Sequence, residues 1–386
     1  MRPATVPPFP HPAADRGGPI EWAETRRILL VRPDNLGDVV MLTPALRALR
    51  AHVPDARLDL LASPVGSSLA PVIPYLDGTL AISPVWQDAD GRMPHDPDRE
   101  LALVSRVKAG RYDVVVVFTS FSQSPWPMAY VAYLAGIPVR AGHSKEFGGS
   151  LLTHWVTPPP DETHQVDRCL HLLEALGVPP AGTHLELRVP DDARDRAAAA
   201  LARAGIAPAR PYALLAPGAS CSARRYPADR FGKVAAELAE RGLPVAVVGS
   251  AGERDLVAEV VSAAGSLGVA AVGPLDTPAF VALVAGAAVA VTNDSGGMHV
   301  ADAVGTPVVV AFSGTELEDQ LAPRTVRAEL FRVPTSCSPC HQFRCPFGLP
   351  CLDLDPTELA GTAYELAPRC RPPDPEGGEA CSTSGP

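Results

Sequence analysis

The sequence predicts an α/β protein built from two parallel, doubly wound sheets that face a central cleft. Three observations carry this. Short apolar runs recur without the polar alternation of a half-exposed strand, as in DVVVVF at 113–118, which is the pattern of strands buried on both faces. Amphipathic segments of helical period separate them. The series occurs twice, before and after the charged, Ala-rich segment VPDDARDRAAAALARAG at 189–205, so two sheets are expected, each covered by helices.

In the first round, RILLV (27–31) reads as a buried strand and GDVVMLTPALRALRAHV (37–53) as the helix after it. LDLLA (58–62) and DVVVVF are further strands. WPMAYVAYLAG (126–136) and HQVDRCLHLLEALG (164–177) are helices closed by glycine, a common stop signal. The second round starts at YALLA (212–216) and runs through helix 229–242, strand PVAVVG (244–249), helix 253–265 and the apolar segment 279–287. It ends with strand VAVTN (289–293), a helix from about 296 and strand PVVVAF (307–312). Domains are expected over 26–188 and 189–368, with a disordered extension at 1–25 and a flexible tail at 369–386. Ligands of such sheets bind beyond the carboxyl ends of the strands, so the cleft is the expected site.

Composition narrows the function. With 46% hydrophobic and 20% charged residues the 386-residue chain is globular, and long enough for two cores. A net charge of −10 argues against a nucleic-acid binder, which needs a basic surface. The sequence contains no apolar run of the roughly 18 residues that a spanning helix needs. The Pro-rich start MRPATVPPFPHPAADRGGP lacks the apolar region of a secretion signal. The protein is therefore expected to be cytoplasmic, with transient contact to a membrane surface open.

Four strand-to-helix loops hold the candidate chemistry. RPDNLGD (32–38) places Asp38 near a helix N-terminus, either as a capping acid or as a base taking a proton from a substrate hydroxyl. PGASCSARRYP (217–227) gathers Gly218, Ser220, Ser222, Arg224 and Arg225; its arginines suit phosphate oxygens or form a solvated surface pair. VVGSAGERD (247–255) turns at Gly249 and is a weak signal alone. In VTNDSGGMHVADAVGTP (291–307), Ser295 can cap the helix while Gly296 and Gly297 leave its first N–H groups open to a diphosphate. Asp294 is placed to accept from a ribose or base. His299, one turn in, faces that ligand or is an ordinary core histidine. Neither the GxGxxG nor the P-loop pattern is present, which removes the main support for a dehydrogenase or P-loop NTPase.

RPDNLGDVVMLTPALRALR (32–50), HQVDRCLHLLEALG, PGASCSARRYP and VTNDSGGMHVADAVGTPVVVAF (291–312), in this order, resemble glycosyltransferase family 9, the ADP-heptose:lipopolysaccharide heptosyltransferases. The resemblance runs from about residue 27 to residue 366. It implies a GT-B fold with two Rossmann-like domains, the first binding a glycan or glycolipid acceptor and the second a nucleoside-diphosphate sugar, ADP-linked as in the family's name, with inversion at the sugar carbon. By position, Asp38 becomes the general base. Arg224 stands where the family often has a phosphate-binding lysine, and Asp294, Ser295, Gly296, Gly297 and His299 match the donor segment. Two departures are the arginine at 224 and FSGT (312–315) in place of Phe-Gly-Pro-Thr. An epimerase or hydrolase of GT-B type, or a non-catalytic nucleotide binder, are the other classes considered.

Cys337, Cys340, Cys345 and Cys351 fall within fifteen residues beside His341. One CxxC half-motif admits a structural zinc; free buried thiols or a redox disulfide are the other options. The Asp88/Asp90, Asp96/Asp98 and Asp353/Asp355 pairs lie in polar loops rather than at strand ends, so no catalytic metal is expected. The expected reaction needs no cofactor.

Overall fold

The computed structural model describes residues 17–88, 91–121, 123–265 and 267–367. The first sheet contains β1 (Arg27–Arg32), β2 (Arg57–Ala62), β3 (Gly78–Ala81), β4 (Val114–Val117), β5 (Val139–His143) and β6 (His154–Val156). The second contains β7 (Ala213–Ala216), β8 (Val245–Val247), β9 (Val269–Ala271), β10 (Val289–Asn293), β11 (Val308–Ala311) and β12 (Ala328–Phe331). Their orders are β3-β2-β1-β4-β5-β6 and β12-β11-β10-β7-β8-β9, with every pairing parallel. Each sheet is thus doubly wound, and the chain reverses direction across it between β1 and β4 or between β7 and β10. The crevices beyond these two switch points are where such sheets bind ligands.

The central strands follow from their apolar runs. Ile28 to Val31 are fully buried, as are Val289 to Val291 and Val308 to Ala311. β-branched residues dominate β4 and β11, which suits a pleated surface packed on both faces. The edge strands β3 and β12 are half-buried, so their sequences carry no continuous apolar run. β5 is internal but contains Arg140 and His143, both buried. The Arg140 guanidinium donates to the carbonyls of Ile137, Ser150 and Leu151, which satisfies the charge inside the fold.

Two expectations change. The helix expected over 37–53 is two helices, Leu36–Val40 and Thr43–His52. Pro44 lacks the N–H for a bond to the preceding turn and instead occupies the first turn of the second helix, where proline fits. In the charged, Ala-rich segment 189–205, Asp191–Arg203 is a helix that packs on Thr277–Ala285. The extension expected over 1–25 does not reach that far. Trp22 is buried, and its indole N–H donates to the Leu176 carbonyl at 2.9 Å. Residues 1–16 and the expected tail lie outside the described residues. No described helix is long and apolar enough to cross a membrane.

Trp22 ties the start of the first half to the end of helix Gln165–Ala175. Trp22→Ala is expected to lower stability by about 3–5 kcal/mol, the usual cost of emptying a large aromatic site, read as a fall in the denaturant midpoint.

Candidate active site

On the first sheet, the loop after β1 carries the candidate base. Asp38 is only partly buried, with 20% of its side chain exposed. Its Oδ2 accepts from the Asn35 backbone N–H at 3.2 Å, and its Oδ1 accepts from Arg32 Nη2 at 2.7 Å. The capping reading holds in geometry: one oxygen accepts at the helix start, while the other is held by a guanidinium at the strand end. Arg32 is fully buried and also donates to Ser120 Oγ at 2.7 Å, beyond β4. Its Nε lies 2.9 Å from Asp34 Oδ2. Asp34 is itself buried, and its Oδ1 accepts from Gln87 and Gln123. Burial raises the Asp34 carboxyl above its ordinary range, against the pull of Arg32. Burial also opposes the charge of Arg32, but Asp34 and Asp38 together keep it strongly protonated. Arg32, Asp34, Ser120 and Gln123 were not picked out in the sequence, because their association depends on contacts 29 to 89 positions apart for all but Arg32 with its own loop.

A second buried guanidinium, Arg168, lies behind this loop. Its Nε donates to the Thr119 carbonyl at 3.3 Å and its face covers the Phe121 ring, but the buried Nη1 has no hydrogen-bond partner among the described residues. Burial lowers its proton affinity.

On the second sheet, Arg224 ends a short 3₁₀ turn after β7. Its Nε donates to Thr315 Oγ1 at 2.9 Å, and its Nη2 pairs with Glu316 at 2.8 Å. Among the described residues Nη1 makes no hydrogen bond within the protein, and 23% of the side chain is exposed. Arg225 is used differently from the expected phosphate pair: it folds back to donate twice to the Ala219 carbonyl. Ser220 is exposed on the same loop. Gly218 and Gly249 both pack against Glu253, which also accepts from the Ser250 N–H. A side chain at either glycine would meet Glu253, so Gly249 shapes the turn.

The segment after β10 departs from expectation in three ways. Ser295 occupies the N-cap position of helix Gly296–Val304 but makes no side-chain cap; the Met298 N–H donates to its carbonyl at 3.1 Å, and its hydroxyl leaves the Gly296 and Gly297 N–H groups unoccupied. Asp294 is not offered to a ribose or base. It is buried and accepts from the Ser313 N–H and hydroxyl and from Thr315 Oγ1, with Arg224 Nε 3.9 Å away. Burial pushes its carboxyl up to about 6. Gly297 faces inward, where an added methyl would lie 3.3 Å from Thr292 Cγ2 and 3.5 Å from Ala216 Cβ. A side chain there would press on the sheet before reaching any ligand.

The two loops meet. A methyl built on Gly37 would lie 2.6 Å from His299 Cδ2 and 3.3 Å from Gly296 Cα. His299 is buried against the opposite loop, and burial holds its imidazole down to about 4. Around this contact, Arg324 pairs with Asp167 at 2.8 Å, Gln320 Nε2 donates to the Asp161 carbonyl at 2.7 Å, and the His164 ring lies 3.0 Å from the Ala322 carbonyl. These bonds hold the two sheets' loops face to face.

Residues 100–349 match the model of glycosyltransferase family 9 (heptosyltransferase). The chain belongs to this family. It is 27% identical over 322 residues to lipopolysaccharide heptosyltransferase 2 of Escherichia coli (strain K12), covering 80% of this chain and 88% of that protein. The fold is similar to that of a family 9 glycosyltransferase from Veillonella parvula, with a TM-score of 0.74, 19% identity and coverage of 91% and 98% of the two chains. It is also similar to E. coli ADP-heptose LPS heptosyltransferase II, with a TM-score of 0.69, 23% identity and coverage of 88% and 98%. The fold is GT-B, and the protein is a glycosyltransferase.

In this member of the family the cysteine segment packs on the Arg224 loop. The Ala223 N–H and Ser222 hydroxyl donate to the Phe343 carbonyl, and the Cys340 N–H donates to the Gly314 carbonyl. The expected metal set is not assembled: among the described residues no three His, Cys, Asp or Glu side chains gather as ligands. Cys351 is buried in the core of the second half, and Cys337 is exposed beside Thr335. The Cys345 sulfur accepts from the Phe347 and Leu349 N–H groups. The six described cysteines, these four among them, are free thiols. Cys381 and Cys370 lie outside the described residues.

This arrangement predicts unequal costs. Cys351→Ser places a hydroxyl in the core and should lower the melting temperature by several degrees, while Cys337→Ser should stay within about 0.5 kcal/mol of the parent. Equal, large losses at both positions would instead indicate a shared ligand set.

Proposed function

We propose that the protein is an inverting heptosyltransferase that moves a heptose from an ADP-linked donor to a hydroxyl of a lipopolysaccharide-type glycolipid acceptor. The observation that carries this reading is the meeting of Gly37 and Gly296. It sets Asp38, one residue past Gly37, against the uncapped mouth of helix Gly296–Val304. The names of the relatives supply the donor and acceptor classes, since the proteins matched are heptosyltransferases of lipopolysaccharide and one is named for ADP-heptose.

In this reading the first half holds the acceptor and the second half the donor. The acceptor oxygen attacks the anomeric carbon from the face opposite the diphosphate, and its proton passes to Asp38. The bond from the anomeric carbon to the diphosphate oxygen breaks, and negative charge grows on the leaving ADP. The open N–H groups of Gly296 and Gly297 and the positive helix end suit that charge. Arg224 can meet the same phosphates through Nη1, because Thr315 and Glu316 hold its other side in place. Donors fixed before reaction stabilise the transition state without reorganising. Displacement from the opposite face inverts the anomeric centre.

The test uses ADP-heptose and heptose-free lipopolysaccharide. Asp38→Asn keeps the shape but loses the proton acceptor, so turnover should fall by roughly 10²–10⁴ while ADP affinity stays near that of the parent. Near-normal turnover would remove Asp38 as the base. Arg224→Gln should weaken ADP binding by roughly 10- to 100-fold in calorimetry, the usual value of a hydrogen bond to a charged group. Unchanged ADP affinity would place the diphosphate elsewhere.

A further inference from the structure

We propose that His341 is a positioning residue for the donor site: it holds the Glu316 carboxylate, and Glu316 in turn aims Arg224 at the diphosphate. This deepens the donor reading and rests on it, since Arg224 must meet the diphosphate for His341 to affect binding. The Glu316 carboxylate is divided between two partners. Its Oε1 accepts from Arg224 Nη2 at 2.8 Å, and its Oε2 lies 3.3 Å from His341 Nδ1. The carboxylate is mostly enclosed, whereas the His341 ring is half exposed. The strand-to-helix pattern of the second sheet does not point to this residue, because it lies in the cysteine segment after β12.

The backbone around His341 makes the same connection. Residues 340–343 form a strap across two loops. The Cys340 and His341 N–H groups donate to the Gly314 and Thr315 carbonyls at 2.9 and 3.1 Å, on the turn after β11. The Phe343 carbonyl accepts from the Ala223 N–H at 3.2 Å and from the Ser222 hydroxyl at 3.3 Å, on the loop after β7. The chain turns between these contacts at His341, whose φ is +51°. That left-handed angle is uncommon for a residue with a side chain, and such an outlier marks a local constraint. Arg224 spans the same gap. Its backbone lies on the loop after β7, and its guanidinium bonds to Thr315 and Glu316 on the turn after β11. The strap thus fixes the distance that Arg224 has to bridge, and the His341 ring fixes the group at its far end.

A glutamate held by Arg224 alone would be a poor support. Its carboxylate could turn about its own side-chain bonds and carry the guanidinium with it. It would also set an unshared negative charge beside the site proposed for a diphosphate. A second partner on Oε2 opposes both effects. With its proton on Nδ1 the imidazole is a donor to that oxygen, which leaves Oε1 turned toward Arg224 and offsets part of the carboxylate's charge. Arg224 Nη1 then keeps one direction before a ligand arrives, and less side-chain freedom is lost on binding.

The experiment follows Arg224 directly in full-length, ligand-free protein labelled with nitrogen-15 arginine. Its Nε–H resonance is assigned as the one missing from Arg224→Gln. Glycine adopts the left-handed angle without strain and removes only the ring. Asparagine also tolerates that angle, and its amide supplies a donor in place of Nδ1. The Arg224 resonance should shift or broaden in His341→Gly and keep its parent position in His341→Asn. Calorimetry then reads the effect on ADP. Affinity should fall by roughly 3- to 10-fold in His341→Gly, the usual scale of one polar contact. In a Glu316→Ala background the same change should cost less than about twofold, because residues that act through one another are non-additive. An Arg224 resonance unmoved in His341→Gly, or an asparagine variant that behaves like glycine, overturns the inference. So do equal losses of ADP affinity in the two backgrounds, or no loss in His341→Gly where Arg224→Gln does weaken ADP. The NMR readout needs no ligand, so its failure is distinguishable from failure of the diphosphate reading, which the ADP affinity of Arg224→Gln decides.

Discussion

Two helix beginnings are pressed together across the cleft, and the arrangement of the site depends on that contact. Neither Gly37 nor Gly296 has room for a side chain: a methyl on Gly37 would strike His299, and one on Gly296 would lie 3.0 Å from Leu36 Cδ2. Glycine is required here by approach, not by backbone angle. Both helix ends are the positive ends of peptide dipoles. Bringing them together is electrostatically unfavourable unless negative charge lies between or beside them. Asp38 supplies some of it from the first half. An anionic ligand on the second half supplies the rest in the proposed reaction.

The same balance explains why so many charges around the cleft are already engaged. Asp294 is buried under Ser313 and Thr315, and it ties the end of β10 to the turn after β11. That turn carries Thr315 and Glu316, which hold Arg224. A chain of hydrogen bonds therefore runs from the mouth of helix Gly296–Val304 to the guanidinium beside it. The cysteine segment braces this turn from outside through the Cys340 N–H and the Gly314 carbonyl. On the first half, Arg32 plays the corresponding organising role between the ends of β1 and β4. The two halves use one strategy: a buried ion pair or carboxylate fixes the group that faces the cleft. Such fixed groups lose little entropy when a ligand arrives.

Much of the fold was legible because parallel central strands are unbroken apolar runs. The edge strands were not, since β3 and β12 bury only part of their surface and read as loops. β5 hides its strand character behind Arg140, which donates to the carbonyls of Ser150 and Leu151, and His143, whose ring meets that of His171. Asp38 could be found from its place after a strand, and the helix mouth from its two glycines. What surrounds them could not. Arg32 reads as the last residue of a strand until Ser120 is brought beside it, and Asp294 reads as a ligand until Ser313 is folded over it. The cysteine spacing likewise did not show that Cys351 is buried in the core while Cys337 is exposed.

The central claim is that a nucleoside diphosphate sits on the mouth of helix Gly296–Val304, opposite Asp38. The most direct measurement is a titration of selectively nitrogen-15 glycine-labelled protein with ADP, followed by NMR. The amide resonances of Gly296 and Gly297 are expected to move most, with Gly305 at the far end of the same helix nearly still. If ADP binds and those two amides stay in place while glycines of the first half such as Gly142 or Gly148 shift, the diphosphate does not occupy this helix mouth and the account is contradicted.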